Sequence, residues 1–176
     1  SLVGSEMCIR DRYYEDDPVK NTALKMVKAG LARLVDHGFA RRGLVVLDPF
    51  SPEYLGPWDR GLVEEKGVLV LDASWRLLTP DKFKKLPGAH VKLPPLLPGN
   101  PVNYGKPCML SSIEAVAAAA YITGFTETYE KLLGLYKWMN TFHSLNTELL
   151  ESCSKAGSRE ELDRVIREYW GDSPPC

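Results

Sequence analysis

Residues 98–107 read PGNPVNYGKP, with three prolines, two glycines and two asparagines in ten positions. Proline fixes φ and removes a backbone donor, and glycine permits positive φ, so this stretch is a shaped loop rather than a helix or a strand. Its carbonyls and remaining N–H groups stay out of regular pairing. Such groups can read the edges of a flat ring such as adenine without any charged side chain. Asn103 and Tyr104 are placed to fix this loop or to line a pocket beside it. A helix opens directly after it, at Ser111-Ser-Ile-Glu114, and its first turn offers free N–H groups and partial positive charge. A rigid connection with no ligand is the competing reading.

The other chemical candidates are weaker. His37, His90 and His143 are scattered and share no metal-ligand spacing. The four cysteines, Cys8, Cys108, Cys153 and Cys176, contain no CxxC pair, so neither a zinc site nor a disulfide framework is expected. Cys108 reads as a wall residue of the loop, since nothing near it in sequence would lower its pKa. GxSxG, GxxxxGK[ST] and GxGxxG are all absent, which removes the motif basis for hydrolase, nucleoside triphosphatase and dinucleotide-binding readings. No metal is expected.

The elements that must position the loop follow from periodicity. Leu24, Val27, Leu31, Leu34 and Val35 recur at helical spacing, predicting a helix over residues 21–36 that ends at Gly38. Three short apolar runs read as buried strands: GLVVL (43–47), VLVL (68–71) and the segment 90–93. The first two end on aspartates, Asp48 and Asp72. Short helices are predicted from Pro57 to Lys66 and from Thr79-Pro80. Alternating strands and helices favour a parallel α/β sheet, whose ligands sit beyond the carboxyl ends of the strands. From Ser111 onward the chain reads as helical throughout, with helices over 126–138 and 140–154, another capped at Ser158, and a frayed tail GDSPPC.

The chain has 176 residues, 44% hydrophobic and 26% charged, with net charge −1. That size suits one domain or two small lobes sharing a core. No apolar run reaches the roughly 18–20 residues a membrane span needs, and no secretory leader is evident, so a reducing cytoplasm is the expected compartment. Six basic residues between Lys20 and Arg42 face one acid, Asp36, and six between Arg76 and Lys106 face Asp81. Such local faces can bind phosphates, although solvated helix faces carry the same pattern. The opening SLVGSEMCIRDR lacks periodicity and looks like a translated sequencing-adapter remnant. Residues 1–12 are therefore set aside, leaving an α/β lobe at 13–107 and a helical lobe at 108–176 that completes the pocket expected beside the loop.

Five segments then carry a family resemblance: DDPVKNTALKMVKAGLA (16–32), LVVLDPF (44–50), GVLVLDASW (67–75), NPVNYGKPCMLSSIEAVAAAAYITGF (100–125) and LYKWMNTFHSLNTELL (135–150). In this order they resemble the small-subunit ribosomal RNA aminocarboxypropyltransferases of the short archaeal type. The resemblance implies a SPOUT-like knotted α/β N-terminal lobe with an all-helical C-terminal lobe. It also implies S-adenosylmethionine as co-substrate, and transfer of its 3-amino-3-carboxypropyl (acp) group to N3 of a hypermodified uridine or N1-methylpseudouridine. The partner would be small-subunit rRNA or its precursor particle, with no membrane involved and the protein monomeric.

By position, the resemblance assigns Thr22 to the methionine end of the cofactor and Leu71 to the ribose. It puts Leu93, Cys108 and Ser112 around adenine and the loop wall, and Leu47, Pro49 and Trp75 in apolar packing. Catalysis would rest on orientation, because a sulfonium offers three carbons and the pocket selects which is attacked. Asp72 or Asp59 could take the N3 proton, although aspartates at such positions equally satisfy turn N–H groups. Three departures stand out: LLPGNP replaces the usual LVAANP, Ala73 replaces a cysteine, and residues 1–12 occupy the place of the family's first strand. A methyl-transferring SPOUT enzyme and a non-catalytic ribosome-assembly factor are the alternatives.

Overall fold

The computed structural model describes residues 7–10, 22–35, 38, 42–71 and 78–176. Five parallel strands form one sheet: β1 (Met7–Arg10), β2 (Arg33–Leu34), β3 (Val45–Leu47), β4 (Val68–Leu71) and β5 (Ala89–Val91), in the spatial order β2-β1-β4-β3-β5. The expected runs at 43–47, 68–71 and 90–93 thus each meet a strand, at Val45–Leu47, Val68–Leu71 and Ala89–Val91, and an isolated bridge from Tyr54 to Lys92 extends the last of them. Residues 7–10, part of the segment set aside in the sequence reading, form β1 and pair with β4 along all four residues.

The helix expected over 21–36 is shorter. Helix α1 covers Thr22–Lys28 and stops because Gly30 takes a left-handed φ of +73°. There the N–H of Leu31 closes on the carbonyl of Met26 and that of Gly30 on Val27, a glycine-terminated helix end. The chain then turns into β2, so Arg33 and Leu34 belong to the sheet edge beside β1. The apolar spacing that suggested a longer helix came from residues shared between a helix and a strand.

Side chains alternate across the sheet, as strand geometry requires. Val45, Leu47, Val68, Val70 and Val91 enter the large core, which also holds Ala23, Met26 and the buried residues of the later helices. Leu44, Val46, Leu69 and Leu71 point the other way, into a smaller cluster with Phe83 and Leu86. Helix α2 (Arg60–Lys66) follows a 3-10 turn at Pro57–Asp59, and α3 (Pro80–Lys84) supplies Phe83 to the second cluster.

Four helices complete the chain: α4 (Ser112–Ile122), α5 (Thr126–Leu133), α6 (Met139–Ser154) and α7 (Arg159–Trp170). The helix expected over 126–138 ends at Leu133, and turns carry the chain into α6. Helix α4 is buried on nearly all sides, touching β4, α1, α5 and α6. Its alanines at 117–120 are fully buried, and their small size allows close approach by these neighbours. No helix among the described residues is long and apolar enough to cross a membrane.

Candidate functional site

The carboxyl ends of β3, β4 and β5, at Leu47, Leu71 and Val91, lie at one edge of the parallel sheet. Thr22 opens α1 and Ser112 opens α4. One bond joins these two helix starts: the Ile113 N–H donates to Thr22 Oγ1 at 3.2 Å, buried, across 91 positions of sequence. Thr22 is fully buried. Its hydroxyl thus satisfies one of the donors that every helix start leaves open. The bond brings two of the expected cofactor residues, Thr22 and Ser112, into one neighbourhood.

The loop between β5 and α4 is held from beneath by the helices. Asn146 of α6 accepts from the Leu97 N–H (2.8 Å) and donates to the Leu97 carbonyl (2.8 Å), pairing both backbone groups of one residue. The Trp170 indole at the end of α7 donates to the Pro95 carbonyl at 2.8 Å. Gly99 sits so close to α6 that a Cβ there would lie 2.5 Å from the Phe142 nitrogen and 2.8 Å from the Trp138 carbonyl oxygen. The departure LLPGNP is therefore a packing device: the glycine lets loop and helix touch.

Glu114 is the hub of this arrangement. It is fully buried, and one carboxylate oxygen accepts from the Gly99 N–H at 2.7 Å. The other accepts from Asn100 Nδ2 (2.7 Å), the Ser111 hydroxyl (2.7 Å) and the Ser111 N–H (3.0 Å). The last contact is the glutamate half of the capping box read from Ser111–Glu114. Asn100 in turn accepts the Asn103 N–H on its Oδ1 at 2.9 Å. A buried carboxylate is tolerated because four donors replace its hydration.

Cys108 departs from expectation. It forms a disulfide with Cys176, 68 positions along the chain, with Cα atoms 6.4 Å apart. The scattered cysteine spacing predicts no disulfide and the composition of GDSPPC a frayed tail, and the bridge overturns both. Docking of Trp170 on Pro95 carries the end of α7 over the loop, so the last residues reach Cys108. Cys108 also has φ +71°, the left-handed region, which costs a non-glycine residue about 1–2 kcal/mol. Its N–H bonds to the Leu96 carbonyl at 2.9 Å, and together with the disulfide this holds the conformation.

The remaining predicted residues fall as follows. Leu71 ends β4 with its side chain in the second cluster. Leu93 is half-buried beyond β5 against the main core. Leu47 is buried and Pro49 exposed. Asp72, Trp75 and His37 lie outside the described residues. Asp48 accepts from the Phe50 N–H (2.9 Å) and pairs with His90 Nδ1 (2.8 Å), while His90 Nε2 meets the Leu86 carbonyl. Asp48 thus serves a turn and a side-chain pair. Asp59 accepts from the Gly56 N–H at 2.9 Å, and partial burial raises its pKa above the usual carboxylate value. Both aspartates are engaged in local structure.

Asn146, Trp170 and Cys176 were not signalled by the sequence. Asn146 lies mid-helix in an unremarkable polar position, and the tail cysteine had no spacing to pair it. The groups of the site are the backbone amides and carbonyls of the loop, with Thr22 buried in its bond to Ile113 and with Leu47 and Leu93 packed into or against the main core.

Residues 45–170 match the family model described as "Ribosome biogenesis protein, C-terminal". The chain is 39% identical over 158 residues to the 16S rRNA aminocarboxypropyltransferase of Sulfurisphaera tokodaii, covering 89% of this chain and 92% of that protein. It is 41% identical over 157 residues to the enzyme of the same name from Methanobrevibacter smithii, covering 88% and 92%. Among solved structures it resembles the SAM-dependent rRNA:acp-transferase Tsr3 from Vulcanisaeta distributa, with TM-score 0.79, 36% identity, and coverage of 94% of this chain and 97% of that one.

Proposed function

The chain belongs to the family of 16S rRNA aminocarboxypropyltransferases, and from that premise we propose that it transfers the acp group of S-adenosylmethionine to N3 of a hypermodified uridine or N1-methylpseudouridine in small-subunit rRNA. The observation that carries this reading is the Thr22–Ile113 bond, which joins the DDPxxxT segment to the start of α4 beside Ser112. Thr22, Leu71, Leu93, Cys108 and Ser112 are the residues we assign to the cofactor. We read the fold as SPOUT-like and knotted, with an α/β lobe and a helical lobe sharing one core. The strand order β2-β1-β4-β3-β5 and a main core built from the sheet and the later helices support that reading. The enzyme works as a cytoplasmic monomer on the ribosomal small subunit or its precursor.

The bound co-substrate supplies a sulfonium, an electrophile whose neighbouring carbons are already activated. What this chain contributes is geometry. The loop of residues 94–108, clamped by Asn146, Glu114 and Trp170, grips the adenosyl end through backbone groups. Apolar walls at Leu47 and Leu93 exclude water from the ring. Thr22 and the start of α4 fix the amino-acid tail, so that its Cγ rather than the methyl faces the acceptor. N3 forms the new bond as the C–S bond breaks, methylthioadenosine leaves, and the N3 proton passes to solvent or to a carboxylate. Lys92 before the loop and Lys106 within it, with the lysines of α1 and α3, supply phosphate contacts, so RNA affinity falls steeply with salt.

Calorimetric titration with S-adenosylmethionine tests the pocket. Binding by the wild type that is lost in Ser112→Trp supports it. A folded protein with no binding, or a Ser112→Trp variant that binds normally, contradicts it.

A further inference from the structure

We propose that Tyr104 is a stacking platform for an unpaired base of the RNA substrate, held out from the cofactor loop by a relay of hydrogen bonds that starts at Glu114. The inference deepens the proposed function and rests on that reading.

Three aromatic side chains among the described residues are largely exposed: Phe50, Tyr104 and Tyr169. Isolated exposed rings are ordinary on a protein surface. Two of the three, however, have aromatic partners: Phe50 meets the Phe83 ring edge-on at 5.8 Å, and Tyr169 meets Trp170 at 5.5 Å. Tyr104 has no ring or hydrogen-bond partner among the described residues. At 61% exposure it is also the most open of the exposed large hydrophobic residues.

Its mounting is rigid. The Lys106 N–H closes on the Asn103 carbonyl at 2.9 Å, making a four-residue turn with Tyr104 and Gly105 at its centre. Gly105 has φ +74°, the sign that a turn of this kind demands at its third residue. The turn is tied down in sequence: Asn103 to Asn100, Asn100 to Glu114, and Glu114 into the buried start of α4. A chain of fixed groups thus runs from a fully buried carboxylate to an exposed ring. Val102 and Lys106, both exposed, lie two positions to either side of Tyr104 in sequence, one apolar and one cationic.

Single-stranded RNA is recognised by stacking splayed bases on aromatic rings while cations meet the neighbouring phosphates. A rigidly presented tyrosine with an adjacent lysine provides both, and its pre-organisation lowers the entropy lost on binding. The acceptor base must leave its own stack for N3 to be reached, and a neighbouring base held on Tyr104 would keep the strand open.

The test uses the full chain and fluorescence anisotropy with a labelled single-stranded oligouridylate and its abasic counterpart. Tyr104→Ala is expected to weaken oligouridylate binding about five- to hundredfold, the range of one lost stack. Wild type should prefer the base-containing strand by a similar factor, Tyr104→Ala should show no preference, and Tyr104→Trp should restore it. Equal affinity of wild type and Tyr104→Ala, equal preference for the two strands, or no wild-type binding overturns the inference. Titration of the wild type with S-adenosylmethionine separates this failure from that of the enzyme reading: cofactor binding without a preference for the base-containing strand sinks the stacking inference alone.

Discussion

Asn146 and Leu97, 49 residues apart, are joined by two hydrogen bonds of 2.8 Å that pair both backbone groups of the loop residue with one side-chain amide. The helix and the loop between β5 and α4 are thereby tied together. Leu97 is partly buried, so its groups are poorly served by water once the amide is gone. Asn146→Leu is expected to cost about 2–3 kcal/mol of stability, from two lost bonds and their stranded partners. Urea denaturation measures this, and affinity for S-adenosylmethionine should fall in parallel.

Glu114 serves four donors, and no neutral residue of its size can. Glutamine keeps one oxygen and turns an NH2 toward groups that themselves donate. Glu114→Gln should therefore lose about 2–4 kcal/mol, with donors left unpaired in a buried site. Glu114→Ala should lose at least as much. Chemical denaturation checks both, and Ser111→Ala, which removes one of the four contacts, should cost less than either.

Gly99 is required by contact rather than by backbone angle. Alanine there would press on the backbone of α6 at Phe142 and Trp138, which cannot rotate away. Gly99→Ala is predicted to destabilise by about 1–3 kcal/mol and to displace the loop. Weaker S-adenosylmethionine binding, measured well below the melting temperature, distinguishes loop displacement from simple loss of folded protein.

The Cys108–Cys176 disulfide closes a long stretch of chain over the site. Cys176→Ser, or reduction of the wild type, should lower stability by about 2–4 kcal/mol. The thermal midpoint with and without reductant reads this directly, and Cys176→Ser should show no reductant effect from this pair. An unchanged midpoint in both comparisons would contradict the bridge.

At alkaline pH the buried Cys153 governs part of the stability. Burial pushes its thiol from an ordinary 9.0 up to about 12. The folded state thus keeps a proton that the unfolded chain releases, so stability is intact below about pH 9 and falls as pH rises toward about 12. Tyr129, raised for the same reason, acts in the same direction. Cys153→Ala should flatten the decline, as followed by urea titrations across that range.

Much of this was legible in the residues. The apolar runs at 43–47 and 68–71 could only be buried strands, and the Ser111–Glu114 box marked the start of α4. The proline-rich loop announced a shaped connection, and the motif segments carried the family. Other features were not legible, for physical reasons. Strand β2 hid inside a helical period because Leu31 and Leu34 suit either element, and only the left-handed Gly30 separates them. The clamp by Asn146 and the bridge to Cys176 are long-range contacts, created by the packing of α6 and α7 and carrying no local signature. Glu114 was read as a cap, and its grip on Gly99 and Asn100 needed the loop's path.

The most direct test of the central claim is a label-transfer assay. The protein is incubated with small ribosomal subunits lacking the modification, and with S-adenosylmethionine labelled either in the carboxyl group or in the methyl group. The account predicts that the carboxyl label enters the 16S rRNA and the methyl label does not. Methyl label in the RNA, without carboxyl label, would contradict it and make the chain a methyltransferase.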